Sequence, residues 1–148
     1  MPQLSRRYIQ MAFFNLIWGL TFGALLLYHK GVPLTPLLWR LLPLHIELML
    51  VGWLLQFIMG IGFWIFPRFW RSRGNDTPMR RAFWLLNIGV WLAGLSGAFA
   101  LPAAIFLAGR IFELASGALF VLYAWRRIKP PGTGEWGKKR GERTTSGS

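Results

Sequence analysis

Side chains that can bind a metal or move a proton are scarce inside long apolar runs, and where they occur there they are functional candidates by default. This chain places His45, Glu47, Met49 and Gln56 in one such run and Arg110 and Glu113 in another. A neutral imidazole offers one nitrogen lone pair, and within a membrane-length helix its specific task would be axial ligation of haem iron. The plainer alternative is an interfacial histidine hydrogen-bonded to a carbonyl or a headgroup, and spacing leaves both open. Steps of three or four residues from His45 reach Met49, Gly52, Gln56, Gly60 and Phe63, a stripe whose glycines admit a flat ligand or a second helix. The opposite face, with Leu50, Leu54, Ile58, Ile61 and Ile65, is aliphatic and suits lipid. Glu47 lies about 200° round the helix from His45, so it is expected to meet a neighbouring helix or the headgroup region. His29, the other histidine of the chain, ends an earlier apolar run, where it is either a second axial ligand or a solvated interfacial residue.

Arg110 and Glu113 are three residues apart, share a helix face and can pair, which offsets part of the cost of placing charge in lipid. The first reading is structural, with the pair pinning its helix to Asn87, Gln56 or Glu47. The sharper one gives Arg110 a haem propionate to hold, or Glu113 a part in proton movement. No segment offers a nucleophile beside a base, a phosphate loop or a cluster of carboxylates, so a self-contained enzyme is not expected. The absence of cysteine excludes disulfides, thiolate metal sites and covalent haem attachment.

The elements that must position these residues are membrane spans. Of 148 residues, 54% are hydrophobic and 15% charged, and the apolar residues fall in long blocks. The run ahead of Pro67 is about 23 residues long and rises roughly 34 Å as a helix, enough to cross a hydrocarbon core of about 30 Å. The expected fold is an all-α integral membrane bundle of four transmembrane helices, at about 8–28, 44–66, 82–99 and 103–125. Asn15, Gly19 and Gly23 recur every four residues in the first, as close helix packing requires. Pro33, Pro36 and Pro43 argue against a straight helix through the first connection; Thr35 and Pro36 would start a short interfacial helix instead. Thr77 and Pro78 form another start signal, and a very short turn at 100–102 joins the last two helices. Residues 1–128 thus make one membrane domain, and 129–148 form a basic tail expected to be disordered.

Lysine and arginine give the orientation. Two precede the first span, five lie in the loop between the second and third, and seven follow Trp125, whereas the opposite connections hold only Lys30 and Arg40. Both termini are therefore expected in the cytoplasm and His45 at the outer face of a plasma or inner membrane. The same distribution accounts for the net charge of +12 through orientation and anionic lipid, with no nucleic acid partner implied.

The second span resembles the second helix of haem-copper oxidase subunit I in its His45, Gly52-Trp53, Gly60, Gly62, Phe63-Trp64 and Pro67-Arg68. The whole of 8–128 is similar to short four-helix proteins related to that subunit in C-family cytochrome c oxidases. The shared features are His45-Ile46-Glu47, Gly52-Trp53, Trp64 to Arg68 and Gly109-Arg110-Ile111-Phe112-Glu113. The resemblance implies haem b on His45, lined by Gly52 and Gln56, with His29, Met49 or the His45 of a second copy as the other ligand and Arg110 nearby. It implies electron transfer or an accessory role among respiratory-complex subunits, or a homodimer. Two histidines are too few for an oxygen-reducing haem-copper centre, so no copper is expected. The alternative is a haem-free structural subunit or scaffold that uses its glycine faces and the Arg110 to Glu113 pair.

Overall fold

The computed structural model describes residues 2–32, 35–65 and 76–125, and all its regular structure is helical. Four helices are long and apolar enough to cross a membrane: α1 (Gln3–Gly31), α2 (Pro36–Ile65), α3 (Thr77–Phe99) and α4 (Ala103–Trp125). The predicted basic tail, most of the loop between α2 and α3, and the Pro67-Arg68 end of the second span lie outside the described residues.

Three helices begin or end beyond their expected bounds, each for a reason in the backbone. The apolar signal in α1 starts at Tyr8, yet the helix starts at Gln3 and carries Arg6 and Arg7 in its exposed first turns. In α2 the expected interfacial helix and the span are one continuous helix. Pro36 opens a 3-10 segment (Pro36–Leu41), and Pro43 is the second residue of the α-helical turn that follows (Leu42–Glu47). Both prolines thus occupy first-turn positions, where the N–H they lack is least missed. Thr35 before Pro36 is extended, at φ −148° and ψ 140°. α3 begins at Thr77, ahead of the expected 82, with Pro78 in its first turn.

The middle of α2 departs further from a regular helix. Leu48–Leu55 is π-helical, and Gln56–Ile65 returns to α. A π turn takes up one more residue than an α turn, so it changes which residues share a face above and below it. His45 and Glu47 lie on one side of this stretch and Gln56 begins the other.

The bundle packs in chain order, α1 on α2, α2 on α3, and α3 along the length of α4. α1 and α2 run antiparallel with small residues against large ones. A Cβ on Gly23 would fall 2.6 Å from the His45 ring, and one on Gly19 would fall 2.8 Å from Met49 Sδ. The expected packing of the Asn15, Gly19, Gly23 face is therefore what brings α2 close. The aliphatic face of α2 remains exposed at Leu50, Leu54, Ile58 and Ile65, as does that of α4 at Leu107, Ile111, Leu114, Val121 and Leu122. Such surface suits lipid, where packing of small residues and hydrogen bonds hold helices together.

The α3 to α4 turn is tight. Ala100 takes the left-handed conformation at φ 51° and ψ 43°, and Leu101 N–H reaches the Ser96 carbonyl at 3.1 Å. This is a Schellman-type end made without glycine, a conformation that costs an L-residue roughly 1–2 kcal/mol. Ala100→Gly is expected to raise the resistance of the bundle to unfolding by about 1 kcal/mol, read as a higher melting temperature in detergent.

Candidate functional site

Glu47, Arg110 and Glu113 form one cluster. Arg110 of α4 donates from Nη2 to Glu47 Oε2 at 2.6 Å and from Nη1 to Glu47 Oε1 at 2.9 Å, a bidentate pair with α2. Nη1 also donates to Glu113 Oε2 at 2.8 Å. Bidentate geometry is the strongest form of this contact. The carboxylates are deeply buried, with side chains 5% and 9% exposed, whereas the guanidinium is 39% exposed and lies under Phe106, whose ring centre is 4.9 Å from Cζ. Arg110 is seven positions beyond Ala103, which puts the cluster roughly 10 Å along α4 from its start.

α2 and α4 can meet in this way because α3 presents a small face beneath them. A Cβ on Gly89 would stand 2.8 Å from Glu113 Cγ and 2.9 Å from the Gly109 carbonyl; one on Gly109 would stand 2.7 Å from the Ala93 nitrogen. Gly94 is covered by Leu44 and lies 3.5 Å, measured from its would-be Cβ, from Glu47 Cβ. Gly89, Ala93, Gly94 and Gly109 thus bring the backbones together and leave room for the carboxylates to reach Arg110 across α3. The structural pairing foreseen for Arg110 and Glu113 is present, with Glu47 as the residue to which α4 is pinned.

His45 points the other way. Its Nδ1 is 2.8 Å from the Gly19 carbonyl, and the ring lies over Gly23. A carbonyl only accepts, so in the neutral ring Nδ1 carries the hydrogen and Nε2 keeps the lone pair. The rest of the predicted stripe is closed by α1. Asn15 Nδ2 donates to the Gly52 carbonyl at 2.9 Å and to Gln56 Oε1 at 3.1 Å; Gln56 Nε2 continues to Asn87 Oδ1 at 3.3 Å, and Asn87 Nδ2 to the Phe83 carbonyl. Gly60 lies beneath Tyr8 and Ile9. Gly52 and Gln56 therefore meet Asn15, and the occupant of the stripe is the second helix of the two options.

The remaining predicted residues are spread along the same end. Met49 packs its sulfur on Gly19, one turn from His45 on the same face of the same helix. Two such residues cannot take opposite faces of one macrocycle, because the ring would run into their own backbone. The His29 ring is buried against Trp39, 6.0 Å between centres, well over a turn further along α1 than Gly23. Arg110 is already engaged by two carboxylates, one of which a propionate would have to displace. Among the described residues no three histidine, aspartate or glutamate side chains group as a metal cage.

Sequence reasoning gave Asn15 a packing role and missed its bridge between α1 and α2. It also missed Tyr8, whose hydroxyl donates to the Met79 carbonyl at 2.8 Å, Ser116, which donates to the Ala82 carbonyl, and Ser5, which donates to that of Gly60. For Ser5 and Tyr8 the available signal was their place in line with Ala12, Asn15 and Gly19 on one face of α1. Comparison with protein-family models, curated proteins and solved structures finds no match to this chain.

Gly89→Leu would drive a side chain into Glu113 and the Gly109 carbonyl. We expect it to separate α3 from α4 and lower stability by about 1–3 kcal/mol, the usual range for overpacking, with a clear fall in the detergent melting temperature.

Proposed function

We propose that this is an oxidase-subunit-I-like membrane protein, oriented with both termini in the cytoplasm, that binds haem b near the outer face of a plasma or inner membrane through His45. The observation that carries the reading is the Gly19 carbonyl at His45 Nδ1, which orients the ring and leaves Nε2 as the nitrogen able to ligate iron. Carbonyl hydrogen bonds of this kind commonly set the tautomer and raise the basicity of ligating histidines. The motif residues around His45 and the fourteen-to-two bias of basic residues support the same assignment.

Haem supplies one-electron redox chemistry when bound, which suits electron transfer or an accessory place beside respiratory-complex subunits. The chain's own contribution is to hold one imidazole rigidly against α1. Met49 shares a helix face with His45, and His29 lies against Trp39, so a haem held by His45 would draw its second ligand from outside the bundle. His45 of a second copy in a homodimer is the simplest source.

A second reading, a haem-free structural subunit, is favoured by the closure of the Gly52 to Gly60 stripe by α1. Absorption spectroscopy separates the two. Protein purified in mild detergent and supplied with haem b should show Soret and alpha bands that His45→Ala removes while helicity is retained. Bands that are absent, or unchanged in the variant, leave the structural reading standing.

A further inference from the structure

The Glu47, Arg110 and Glu113 cluster does not balance in charge. Two carboxylates face one guanidinium, leaving one negative charge on a cluster whose carboxylates are buried among apolar helices. Glu47 uses both oxygens on Arg110, so its charge is matched. Glu113 has only Oε2 on Arg110; its Oε1 is buried and meets no donor among the described residues. An unpaired carboxylate oxygen removed from water is costly, whereas a neutral carboxyl group in the same place costs far less.

Among the described residues no element around the cluster offsets the imbalance. α2 contributes Glu47, α4 contributes Arg110, and the facing positions of α3, Gly89, Ala93 and Gly94, carry no ionisable group. Glu47 and Arg110 are the charged groups that act on Glu113. A metal cation would need several oxygens and would sit beside a guanidinium that repels it. A proton needs a single oxygen.

The geometry points to Glu113 as a proton-binding site within the membrane, holding one exchangeable proton that makes the three-residue cluster neutral. A hydronium ion transfers its proton to the Glu113 carboxylate and leaves as water. Arg110 is the most exposed member of the cluster, and the two carboxylates lie behind it. When the proton leaves, the cluster gains a net negative charge and Glu47 and Glu113 compete for one guanidinium, which loosens the ionic tie between α2 and α4. This site stands apart from His45, which faces α1, and does not depend on haem.

Infrared spectroscopy of the full chain in lipid nanodiscs tests it through the carbonyl stretch of protonated carboxyl groups, with circular dichroism as the check on folding. Near neutral pH the wild type should show such a band, shifted by deuterium exchange. Glu113→Gln should abolish it, and so should Glu47→Gln, since one carboxylate then matches one guanidinium without a proton. Arg110→Gln, if folded, should about double it, because both carboxyls must then be neutral. The proposal is overturned by a folded wild type without the band, by a band that survives either glutamate substitution, or by a band that sodium removes and choline does not.

Discussion

An arginine in a membrane span is tolerated only where its charge is met, and meeting the charge of Arg110 dictates much of this bundle. Glu47 must come from α2 and Glu113 from α4 itself, and α3 lies between the two helices. The small residues of α3 follow from that: any side chain at Gly89 would strike Glu113, and Gly94 must admit Leu44 and Glu47. The same pairing fixes the rotation of α2. His45 is two residues from Glu47, about 200° round the helix, so turning Glu47 toward α4 turns His45 toward α1. One ionic contact thereby sets where the single well-placed imidazole points.

The rest of the bundle is held by neutral hydrogen bonds and close backbone approach, as expected where lipid offers no hydrophobic driving force between helices. Asn15, Gln56 and Asn87 form a chain across α1, α2 and α3, while Tyr8, Ser5 and Ser116 each reach a backbone carbonyl of another helix. Interhelical bonds of this sort contribute about 0.6 kcal/mol each on average, so their effect is chiefly to fix register. The π-helical stretch of α2 links the two systems, with Glu47 and His45 before it, Gly52 within it and Gln56 just after it.

The four spans were legible because length and hydropathy alone identify a helix that can cross a bilayer, and the 100–102 turn was legible because Pro102 cannot continue a helix. The boundaries were less so. Arg6 and Arg7 lower the hydropathy of the first turns of α1 without stopping the helix; Pro36 read correctly as a helix start, but Pro43 read as a boundary between two helices although a proline in the first turn of the α segment does not break it. Periodicity correctly separated His45 from Glu47 and paired Arg110 with Glu113. It could not choose between a ligand and a helix as occupant of the Gly52 and Gly60 stripe, because a glycine face accepts either. The π segment left no mark in composition, and the bridging role of Asn15 depends on α1 meeting α2 in one register, which no single helix reveals.

The central claim is that Glu47 and Arg110 act as one ionic unit joining α2 to α4. A double-mutant cycle on unfolding in detergent, using Glu47→Lys, Arg110→Glu and the exchanged pair, measures that most directly. The account predicts that each single substitution lowers stability sharply and that the exchanged pair recovers a large part of the loss. Effects that simply add, with no recovery in the pair, would contradict it.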